Sequence, residues 1–486
     1  MGQFGEKARR SGATRKIVEA LREQIIHGVY VPGDRLPSSR ALASERGVSR
    51  TTVTAAFEQL ISEGYVISRQ GASNVVAELN SPDARQTRQA DAVDPPRLSP
   101  YAERLGSLPP GTIGPRPTLP FDFRYGDISA SDFPRVLWRR AMTGALLRNK
   151  GRLAYAHPAG DERLRNELRT YLWRARGIQC DADQIVVVSG SQQGVDLCTR
   201  LLVELGSNVV FEEPGYVMAR HALMAAGAAL LSVPCDMHGL DTTRLPDVEK
   251  VSLVFVTPSH QYPLGGVLPV GRREALLDWA TVKEAYVLED DYDGEYRYDV
   301  KPIPPLYLSG NGRVIYLGTV SKTLSPTLRL GYLVLPKHLV DVFIRCKQVM
   351  DRHSSALEQE ALASMLESGA YERHVRKMRR ANSERRAALI AALTDCFEDD
   401  IEIVGSSAGL HVVVWFKHLC AEDEPSLIQT AREHGIGLYP VGSLYLGQRP
   451  QSAGFVFGYA SMSPGELTAG VTRLRTLIGR ADPGTV

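Results

Sequence analysis

The 486-residue chain has few cysteines and no long apolar segment, and both absences narrow the choice of fold and function. The six cysteines, none of them in a CxxC pair, are Cys180, Cys198, Cys235, Cys346, Cys396 and Cys420. This scatter argues against a zinc site and against a disulfide framework, so we expect a metal-free protein in a reducing cytoplasm. No apolar run approaches the roughly 20 residues that span a bilayer, and the polar N-terminus is unlike a signal peptide. We therefore expect no membrane partner.

Charge is distributed unevenly along the chain, although the net charge is only +2. Residues 1–80 contain 11 Lys/Arg against 8 Asp/Glu, which leaves 46 against 47 for the rest of the chain. A mildly basic N-terminal segment on a near-neutral body is compatible with binding to nucleic acid. The apolar fraction of 43% and the charged fraction of 23% are typical of a soluble globular protein of more than one domain.

Proline marks a domain boundary. Residues 79–120 contain 9 of the 29 prolines and few large apolar side chains, so this stretch cannot bury enough surface to fold alone. We predict a Pro-rich linker at 80–120, between an N-terminal domain at 12–79 and a C-terminal domain at 121–482. The alternative for the second half is an ordered surface crossing, with a short helix over 101–108.

The N-terminal domain is predicted to contain three helices and a hairpin. Apolar residues recur at helical spacing over 17–25, and Gly28 ends that helix. A second helix begins near Ser38 and ends at Gly47, and Ser49 caps a third. Two short strands follow at 65–67 and 74–76, on either side of a Gly-containing turn. Three helices and a small hairpin in this order predict a winged helix-turn-helix.

Polar residues at the start of the third helix suggest a DNA-binding surface. The N-terminal turn of that helix enters the major groove in helix-turn-helix proteins. Arg50 suits bidentate contact with guanine, while the neighbouring hydroxyls and Arg40 suit phosphates. The residues predicted to contact DNA are Arg40, Ser49, Arg50, Thr51, Thr52, Arg69 and Gly71, the last two in the wing. The alternative is a helical protein-interaction domain with solvated arginines.

Beyond the linker the pattern changes to alternating strands and helices. The predicted strands are 184–189, 208–212, 252–257, 285–290 and 313–318, with helices at 192–205, 271–282 and 337–352. Short, nearly continuous apolar strands with helical crossovers indicate a mainly parallel α/β sheet. Strands at 410–416 and 454–458 are consistent with a smaller α+β lobe, which leaves the large lobe at about 150–345.

Lys322 lies in a loop rich in small hydroxyl residues (GTVSKTLSPTLRLG, 318–331), between two apolar strands. Burial of such a lysine would lower its pKa toward a nucleophilic amine, which a Schiff base with an aldehyde cofactor requires. The alternative is an ordinary exposed lysine on a surface loop. Asp290 follows another strand and would emerge at the edge of the sheet where α/β proteins bind ligands. Ser191 and Gln192 begin a helix whose N-terminus can hold a phosphate.

Three stretches of the N-terminal domain resemble the GntR-type regulators. They are residues 28–40 (GVYVPGDRLPSSR), 47–53 (GVSRTTV) and 63–65 (EGY). The resemblance covers about residues 14–78 and implies a winged helix-turn-helix that binds double-stranded DNA. The wing reads Gly-Ala-Ser where Gly-Ser-Gly is the family pattern.

The C-terminal domain resembles the fold type I aminotransferases, which use pyridoxal 5'-phosphate. The resemblance implies that Lys322 carries the cofactor as a Schiff base, and that Asp290 contacts its pyridine nitrogen. Tyr292 would contact its phenolic oxygen, Tyr216 would stack on its ring and Arg329 would bind its phosphate. The candidate cofactor-binding residues are Lys322, Asp290, Tyr292, Tyr216, Ser191, Gln192, Thr319, Ser321, Arg329 and Tyr155. Tyr155 matches a tyrosine that reaches the phosphate from the neighbouring subunit, which implies a homodimer.

Fusion of these two domains resembles the MocR/GabR regulators. Residues 257–263 (TPSHQYP) support this subgroup, with Tyr262 in place of the usual asparagine. Ser461 stands where many aminotransferases carry the arginine that binds a substrate carboxylate, and Arg220 is a candidate substitute. The resemblance implies a pyridoxal-phosphate-dependent transcriptional regulator that senses an amine, an amino acid or the cofactor itself. The alternatives are a catalytic aminotransferase with an appended DNA-binding module, or a repressor with a vestigial cofactor pocket.

Overall fold

The computed structural model describes residues 2–68, 73–78, 97–109, 118–148, 154–299 and 304–479, with side chains from residue 12 onward. The chain forms two compact units, residues 1–97 and residues 98–486. Each unit is considered by itself. No helix in the described ranges is both long enough and apolar enough to cross a membrane.

The first unit contains three helices followed by a two-stranded antiparallel hairpin. The elements are α1 (Gly2–Ile26), α2 (Ser39–Arg46), α3 (Arg50–Ser62), β1 (Val66–Ile67) and β2 (Val75–Val76). In the hairpin, Val66 pairs with Val76. The helices enclose a small core to which all three contribute, including Val18, Leu21, Leu42, Val53, Phe57 and Leu60. This is the predicted winged helix-turn-helix.

Capping residues set the ends of α2 and α3. The Ser38 hydroxyl accepts a hydrogen bond from the Ala41 amide at 3.1 Å, and α2 ends at Gly47, whose φ is +64°. A left-handed residue at this position is the usual way to end a helix, and glycine adopts it without a steric penalty. The Ser49 hydroxyl accepts from the Thr52 amide at 3.2 Å and begins α3. The predicted starts and the predicted end are therefore confirmed.

The second unit begins with a helix and a short strand, and then builds a large lobe. The first elements are α4 (Pro100–Ser107) and β3 (Phe121–Asp122). The helices of the large lobe are α5 (Arg135–Arg148), α6 (Glu162–Arg176), α7 (Ser191–Leu202), α8 (Val217–Ala226), α9 (Val270–Val282) and α10 (Val340–Met350). Its strands are β4 (Ile185–Val188), β5 (Asn208–Glu213), β6 (Ala229–Asp236), β7 (Gly239–Leu240), β8 (Leu253–Val256), β9 (Tyr286–Asp291), β10 (Val314–Thr319) and β11 (Gly331–Val334).

These strands form one eight-stranded sheet in the order β4-β11-β10-β9-β8-β5-β6-β7. The five strands from β10 to β6 are parallel, whereas β11 is antiparallel to both of its neighbours and β7 is antiparallel to β6. The prediction of a mainly parallel α/β sheet is confirmed. β6 was not among the predicted strands, because Pro234 within it is unusual for a strand and its side chains are only partly buried.

Helices cover both faces of the sheet. Successive residues of a strand face opposite sides, so Ile315 and Leu317 of β10 pack with α7 and α10. Tyr316, between them, packs with residues of α6 and of α11 (Ala356–Glu367) on the other side. With both faces covered, the C-terminal edge of the parallel strands is the open place where a ligand binds.

The smaller lobe packs a three-stranded antiparallel sheet against helices. Its elements are α12 (Ala370–Phe397), β12 (Ile401–Val404), β13 (His411–Cys420), α13 (Glu424–Glu433), β14 (Ile436–Gly437), β15 (Ser452–Gly458) and α14 (Pro464–Ile478). β13 lies between β12 and β15. β3 pairs with β14, and the Gly458 amide donates to the Phe123 carbonyl at 2.8 Å. Residues 121–123 therefore join the smaller lobe. The predicted strands at 410–416 and 454–458 are confirmed.

Part of the predicted linker is ordered against the second unit. α4 forms where a short helix was the alternative, and Arg104 Nε donates to the Ala225 carbonyl at 2.8 Å. This contact places α4 on the C-terminal end of α8. Residues 80–96 and 110–117 of the predicted linker lie outside the described residues.

Candidate functional site

A cavity of about 190 Å³ lies at the C-terminal edge of the sheet, where Lys322 is located. It is lined by Tyr125, Ser191, Tyr216, Thr257, Tyr262, Asp290, Tyr292, Thr319, Ser321, Lys322, Pro326 and Arg329. These residues come from the ends of several strands and from the loops that follow them, as expected for a ligand site in an α/β protein.

Lys322 is held in the turn between β10 and β11. Its Nζ lies 3.4 Å from the carbonyl oxygen of Gly126 and 4.5 Å from the ring centre of Tyr125. Burial lowers the pKa of Lys322, while the nearby carboxylates of Asp293, Asp127 and Asp290 act in the opposite direction. The sequence-based prediction of a desolvated lysine matches this geometry.

Three side chains form hydrogen bonds with the loop that contains Lys322. The Tyr296 hydroxyl donates to the Lys322 carbonyl at 2.9 Å. His374 Nε2 donates to the Thr323 carbonyl at 2.8 Å, and the Tyr371 hydroxyl lies 2.9 Å from the Thr323 hydroxyl. His374 and Tyr371 belong to α12, so the lysine loop is fixed to the helix that leads into the smaller lobe.

Asp290 is a buried carboxyl group with unused hydrogen-bonding capacity. It lies near the end of β9, paired with Leu317 of β10, and is 4% exposed. Its Oδ1 has no hydrogen-bond partner among the described residues. Burial, reinforced by the charges of Asp291 and Asp293, raises the pKa of Asp290 to about 8. A buried acceptor without a donor is costly, so this atom indicates a position for a ligand donor.

Arg329 lies at the other end of the cavity, against the start of α7. Its Nη2 donates to the Ser189 carbonyl at 2.8 Å. Gly190 has a φ of +80°, which favours glycine, and a Cβ there would lie 2.7 Å from the guanidinium carbon and would displace it. Thr319 Oγ1 donates to Ser321 Oγ at 2.8 Å on the same side of the cavity. A guanidinium, two hydroxyls and a helix N-terminus together form a site suited to phosphate.

Four tyrosines line the cavity. The ring centres of Tyr125 and Tyr262 lie 5.1 Å apart, those of Tyr216 and Tyr262 lie 6.0 Å apart, and those of Tyr262 and Tyr292 lie 6.2 Å apart. Burial raises the pKa of Tyr216 to about 12 and also raises the pKa of the other three phenols. The phenols are therefore neutral, and the wall offers flat apolar faces with a few hydroxyl groups.

A buried polar cluster lies behind Tyr292. The Tyr292 hydroxyl donates to the His260 carbonyl at 2.9 Å, and His260 Nδ1 lies 2.9 Å from Asp293 Oδ2. His411 Nε2 donates to the Pro263 carbonyl at 2.8 Å, and burial lowers the pKa of His411 to about 3. Ligand atoms of His260, Asp293 and His411 lie within 4.8 Å of one another, but His260 already engages the carboxylate. This cluster fixes the position of the Tyr292 ring.

Eight of the ten predicted cofactor-binding residues line this cavity. The two exceptions are Gln192 and Tyr155. Gln192 Nε2 instead donates to the Met218 carbonyl at 3.1 Å. Tyr155 is 73% exposed and lies beneath the guanidinium of Arg352, which is 4.3 Å from its ring centre.

Four more residues line the cavity but were not among the predicted cofactor-binding residues: Tyr125, Thr257, Tyr262 and Pro326. Tyr125 approaches from the segment that pairs with the smaller lobe, which only long-range packing determines. Thr257 is fixed by Glu212, 45 residues earlier, whose Oε2 accepts from its hydroxyl at 2.5 Å. Burial raises the pKa of Glu212 to about 7. The TPSHQYP motif was the available signal for Thr257.

Neither candidate position for a carboxylate-binding arginine lies in this cavity. Ser461 lines a separate cavity that also contains Asp127 and Arg135. Arg220 is buried and donates from Nη1 to the Leu444 carbonyl at 3.0 Å. Among the described lining residues, Arg329 is therefore the only arginine.

The structure separates the predicted DNA-contacting residues into two groups. Arg40, Arg50 and Thr51 are exposed at the start of α2 and α3. Thr52 is 7% exposed and its hydroxyl lies 2.8 Å from Ser49 Oγ, so both residues contribute to the helix cap. The wing residues Arg69 and Gly71 lie outside the described residues.

Both units match known protein families. Residues 13–76 match the family described as bacterial regulatory proteins, gntR family, and residues 126–474 match aminotransferase class I and II. The probable rhizopine catabolism regulatory protein MocR of Rhizobium meliloti is 36% identical, covering 95% of this chain and 93% of that protein. The HTH-type pyridoxine biosynthesis transcriptional regulator PdxR of Corynebacterium glutamicum is 31% identical, covering 92% of this chain and 91% of that protein.

Solved structures resemble the second unit. The α-aminoadipate aminotransferase LysN of Thermus thermophilus, complexed with phosphopyridoxyl-leucine, aligns with a TM-score of 0.67 at 26% identity. That alignment covers 79% of this chain and 95% of LysN. The fold is thus one used by pyridoxal-phosphate enzymes. The chain belongs to the aminotransferase class I and II family and, through its gntR-type DNA-binding domain, to the MocR-type transcriptional regulators.

Proposed function

We propose that the Lys322 cavity binds pyridoxal 5'-phosphate and that occupancy of this cavity controls DNA binding by the regulator. One observation carries the proposal. The cavity contains an amine with a lowered pKa together with a buried carboxyl oxygen, Asp290 Oδ1, that has no partner among the described residues. These two groups match the two ends of the cofactor that need an amine and a carboxylate.

The residues present fit the cofactor. Ser191, Thr319, Ser321 and Arg329 suit its phosphate, because they combine hydroxyl donors, a guanidinium and a helix N-terminus. Bound at Lys322, the cofactor supplies an electrophilic carbon that can exchange the lysine for another amine. Asp290 would ionise on meeting the pyridine nitrogen, since a cationic partner offsets the burial that now raises its pKa.

We propose that the effector is an amine, an amino acid or the cofactor itself. Lys322 Nζ lies against the face of Tyr125, so an incoming amine would be surrounded by aromatic rings. Arg329 is the only arginine among the described lining residues, and the phosphate would occupy it. An effector that requires a second guanidinium for its carboxylate is therefore disfavoured.

Signalling to DNA requires two states of the protein with different effector affinity. An effector shifts such an equilibrium only by its differential affinity for the two states. Arg40, Arg50 and Thr51 are exposed at the helix starts and are proposed to contact the operator, Arg50 by reading guanine. Ser49 and Thr52 would support α3 by capping it.

We also propose that the protein is a homodimer. Tyr155 is highly exposed, although the family pattern assigns it to a cofactor phosphate. A partner subunit that approaches this surface would bring Tyr155 to the partner's cavity, and burying an exposed tyrosine favours association.

The test of cofactor binding is a borohydride reduction followed by peptide mass spectrometry. Wild-type protein incubated with pyridoxal 5'-phosphate should yield a stable adduct on the peptide that contains Lys322. Lys322→Ala should give none, whereas Lys337→Ala, which removes an exposed lysine, should leave the yield unchanged. An adduct of equal yield in Lys322→Ala would refute the assignment.

The test of regulation uses a DNA fragment enriched from a random library by the protein itself. Its affinity is measured with and without a panel of amines, amino acids and free cofactor. At least one compound should change the affinity for this fragment, and Lys322→Ala should abolish that change. Unchanged affinity with every compound, in unreduced protein for which the borohydride test has established cofactor binding, would refute control by the cavity.

Catalytic transamination is the second candidate function. The observation that favours it is the lysine itself, because an amine with a lowered pKa is suited to proton transfer. Sustained production of a keto acid over many turnovers would establish an enzyme. A single conversion without further turnover would favour the regulator.

A further inference from the structure

A second cleft lies in the same unit, away from the Lys322 cavity. It is formed by the C-terminal end of α6, the segment after β9 and the first turns of α12, and its volume is about 690 Å³. A side lobe of about 280 Å³ shares Arg174, Arg176 and Arg297 with it. Neither lobe shares a lining residue with the cofactor cavity. Volumes of this size are typical of small-molecule sites.

Positive charge dominates the lining of the cleft of about 690 Å³. Its lining includes five arginines, which are Arg174, Arg176, Arg297, Arg376 and Arg379, against the three acidic residues Glu295, Asp299 and Glu372. Each of the three carboxylates already has an arginine partner. Glu372 pairs with Arg174 at 2.5 Å, Glu295 pairs with Arg176 at 3.1 Å, and Asp299 pairs with Arg386 outside the cleft.

Three arginines are left without a carboxylate within ion-pair distance in the described part of the chain: Arg297, Arg376 and Arg379. The lining therefore carries more positive than negative charge, although Asp291 of the side lobe lies close enough to Arg297 for the two charges to interact. An anion that enters would be attracted to this charge, and the partly enclosed walls would strengthen the interaction.

Arg297 is the most informative of the three. Its Nη2 donates to the Ser259 carbonyl at 2.9 Å, which fixes the guanidinium plane. Its Nη1 is buried and has no hydrogen-bond partner among the described residues. Asp291, which lines the side lobe and is 4% exposed, likewise has an unpartnered Oδ1. A fixed, buried donor without an acceptor is rare in proteins, so Arg297 Nη1 has unused capacity for a hydrogen bond to a ligand.

We propose that this cleft binds a small organic anion, which presents a carboxylate or phosphate group to Arg297. Arg376 and Arg379, both exposed on α12, provide further positive charge at the mouth. The apolar side chains of Ala175 and Val375 line the same space and suit the carbon skeleton of such a ligand. A planar guanidinium held in place is well matched to either anionic group.

Two connections link the cleft to the cofactor cavity. Asp291, which lines the side lobe, follows Asp290 directly on β9, and adjacent residues of a strand face opposite sides. Tyr296, next to Glu295 of the cleft, donates to the carbonyl of Lys322. An anion in the cleft therefore acts on the same backbone that holds Lys322 and Asp290. By thermodynamic linkage, any factor by which the anion changes cofactor affinity is the factor by which the cofactor changes anion affinity.

The experiment is isothermal titration of the full-length, cofactor-loaded protein with succinate and, separately, with inorganic phosphate. At least one of the two probes should bind saturably with one site per chain. Arg297→Gln should weaken binding at least about tenfold, as expected for loss of one charge-assisted hydrogen bond. Arg376→Gln, at an exposed position where folding is not at risk, should weaken it severalfold. Arg380→Gln removes the same charge from an exposed position of α12 outside the cleft and should leave binding unchanged.

Three outcomes would overturn the proposal. One is the absence of saturable binding for both probes at millimolar concentration. Another is an equal loss of binding in Arg376→Gln and Arg380→Gln, because it would indicate a general charge effect. The third is binding that persists in both cleft variants but disappears in Arg329→Gln, because it would place the anion in the phosphate site of the cofactor cavity.

Discussion

Lys322 Nζ lies 3.4 Å from the carbonyl oxygen of Gly126, a residue nearly 200 positions earlier in the chain. Gly126 has a φ of +98°, and a Cβ on it would lie 2.9 Å from the same Nζ. The backbone conformation therefore requires glycine, and any side chain here would in addition push the flexible end of Lys322 aside.

The substitution Gly126→Ala should reduce both stability and cofactor attachment. The strained backbone should lower the free energy of unfolding by about 1–3 kcal/mol, measured by urea denaturation. Displacement of Nζ should lower the yield of the borohydride-stable adduct at Lys322. Gly465→Ala is the matched control, because it lies in α14 with no atom within 4 Å of the new Cβ. That variant should be unchanged or slightly more stable.

The stability of the cofactor-free protein should fall as the pH rises from 6.5 to 8. Asp290 has a folded-state pKa of about 8, and Glu212 and Glu289 have values of about 7, all above their ordinary values near 4. The folded state therefore binds protons that the unfolded state has already lost, and raising the pH in this window favours unfolding. Each such group changes the free energy of unfolding by at most about 1.4 kcal/mol per pH unit.

Asp290→Asn should reduce this slope, most clearly between pH 7 and 8, because the amide cannot ionise and only Glu212 and Glu289 still titrate near pH 7. Asp341→Asn, which replaces an exposed carboxylate on α10, is the control and should keep the wild-type slope. The pH range must stay above 6.5, because His411 has a folded-state pKa lowered to about 3. Below the ordinary histidine pKa, the unfolded state binds a proton at this residue that the folded state does not, and this favours unfolding. Equal slopes in wild type and Asp290→Asn would contradict the prediction.

Mixed dimers should reveal whether Tyr155 acts on the partner's cavity. When Lys322→Ala and Tyr155→Phe chains form a heterodimer, one site combines an intact lysine with an intact tyrosine from the other chain. The cofactor affinity of that site should equal that of the wild type. A heterodimer of wild type with the double variant should instead have one weakened site. The opposite pattern would mean that Tyr155 acts within its own chain.

Arg50→Ala should relax the sequence preference of DNA binding. Loss of a bidentate contact with guanine should cost about 1–3 kcal/mol of discrimination at one base pair, measured by competition with single-base variants of the enriched fragment. Binding to non-specific DNA at the same salt concentration is the internal control and should weaken much less. An unchanged preference at every position would show that another element reads the bases.

The sequence predicted what depends on local signals. Ser38, Gly47 and Ser49 mark helix ends through their own hydrogen bonds and backbone angles, so the first unit was predictable in detail. Most core strands of the large lobe were also predicted to within about two residues, because buried parallel strands read as short apolar runs.

The remaining parts of the site depend on contacts between distant residues. Tyr125 reaches the cavity only because β3 pairs with β14 and Gly458 bonds to Phe123, and no local pattern encodes these pairings. Thr52 appears polar in the sequence, yet it is buried because α3 turns that face toward the core. Arg297, the fixed donor of the second cleft, likewise gave no sequence signal.

β9 ends in three successive acidic residues, and each serves a different part of the protein. Glu289 accepts from the backbone amides of Leu306 and Tyr307, Asp290 faces the cofactor cavity, and Asp291 accepts from Arg176 and the Tyr316 hydroxyl. Side-chain chemistry alone does not distinguish these positions, because all three residues are carboxylic acids. The role of each residue is set by the register in which β9 pairs with β8 and β10. Inserting or deleting one residue here would shift the three carboxyl groups to one another's positions while leaving the composition almost unchanged. The register of β9 in the sheet therefore determines which carboxyl group has which role. We expect a single substitution in this strand to be tolerated better than an insertion or a deletion.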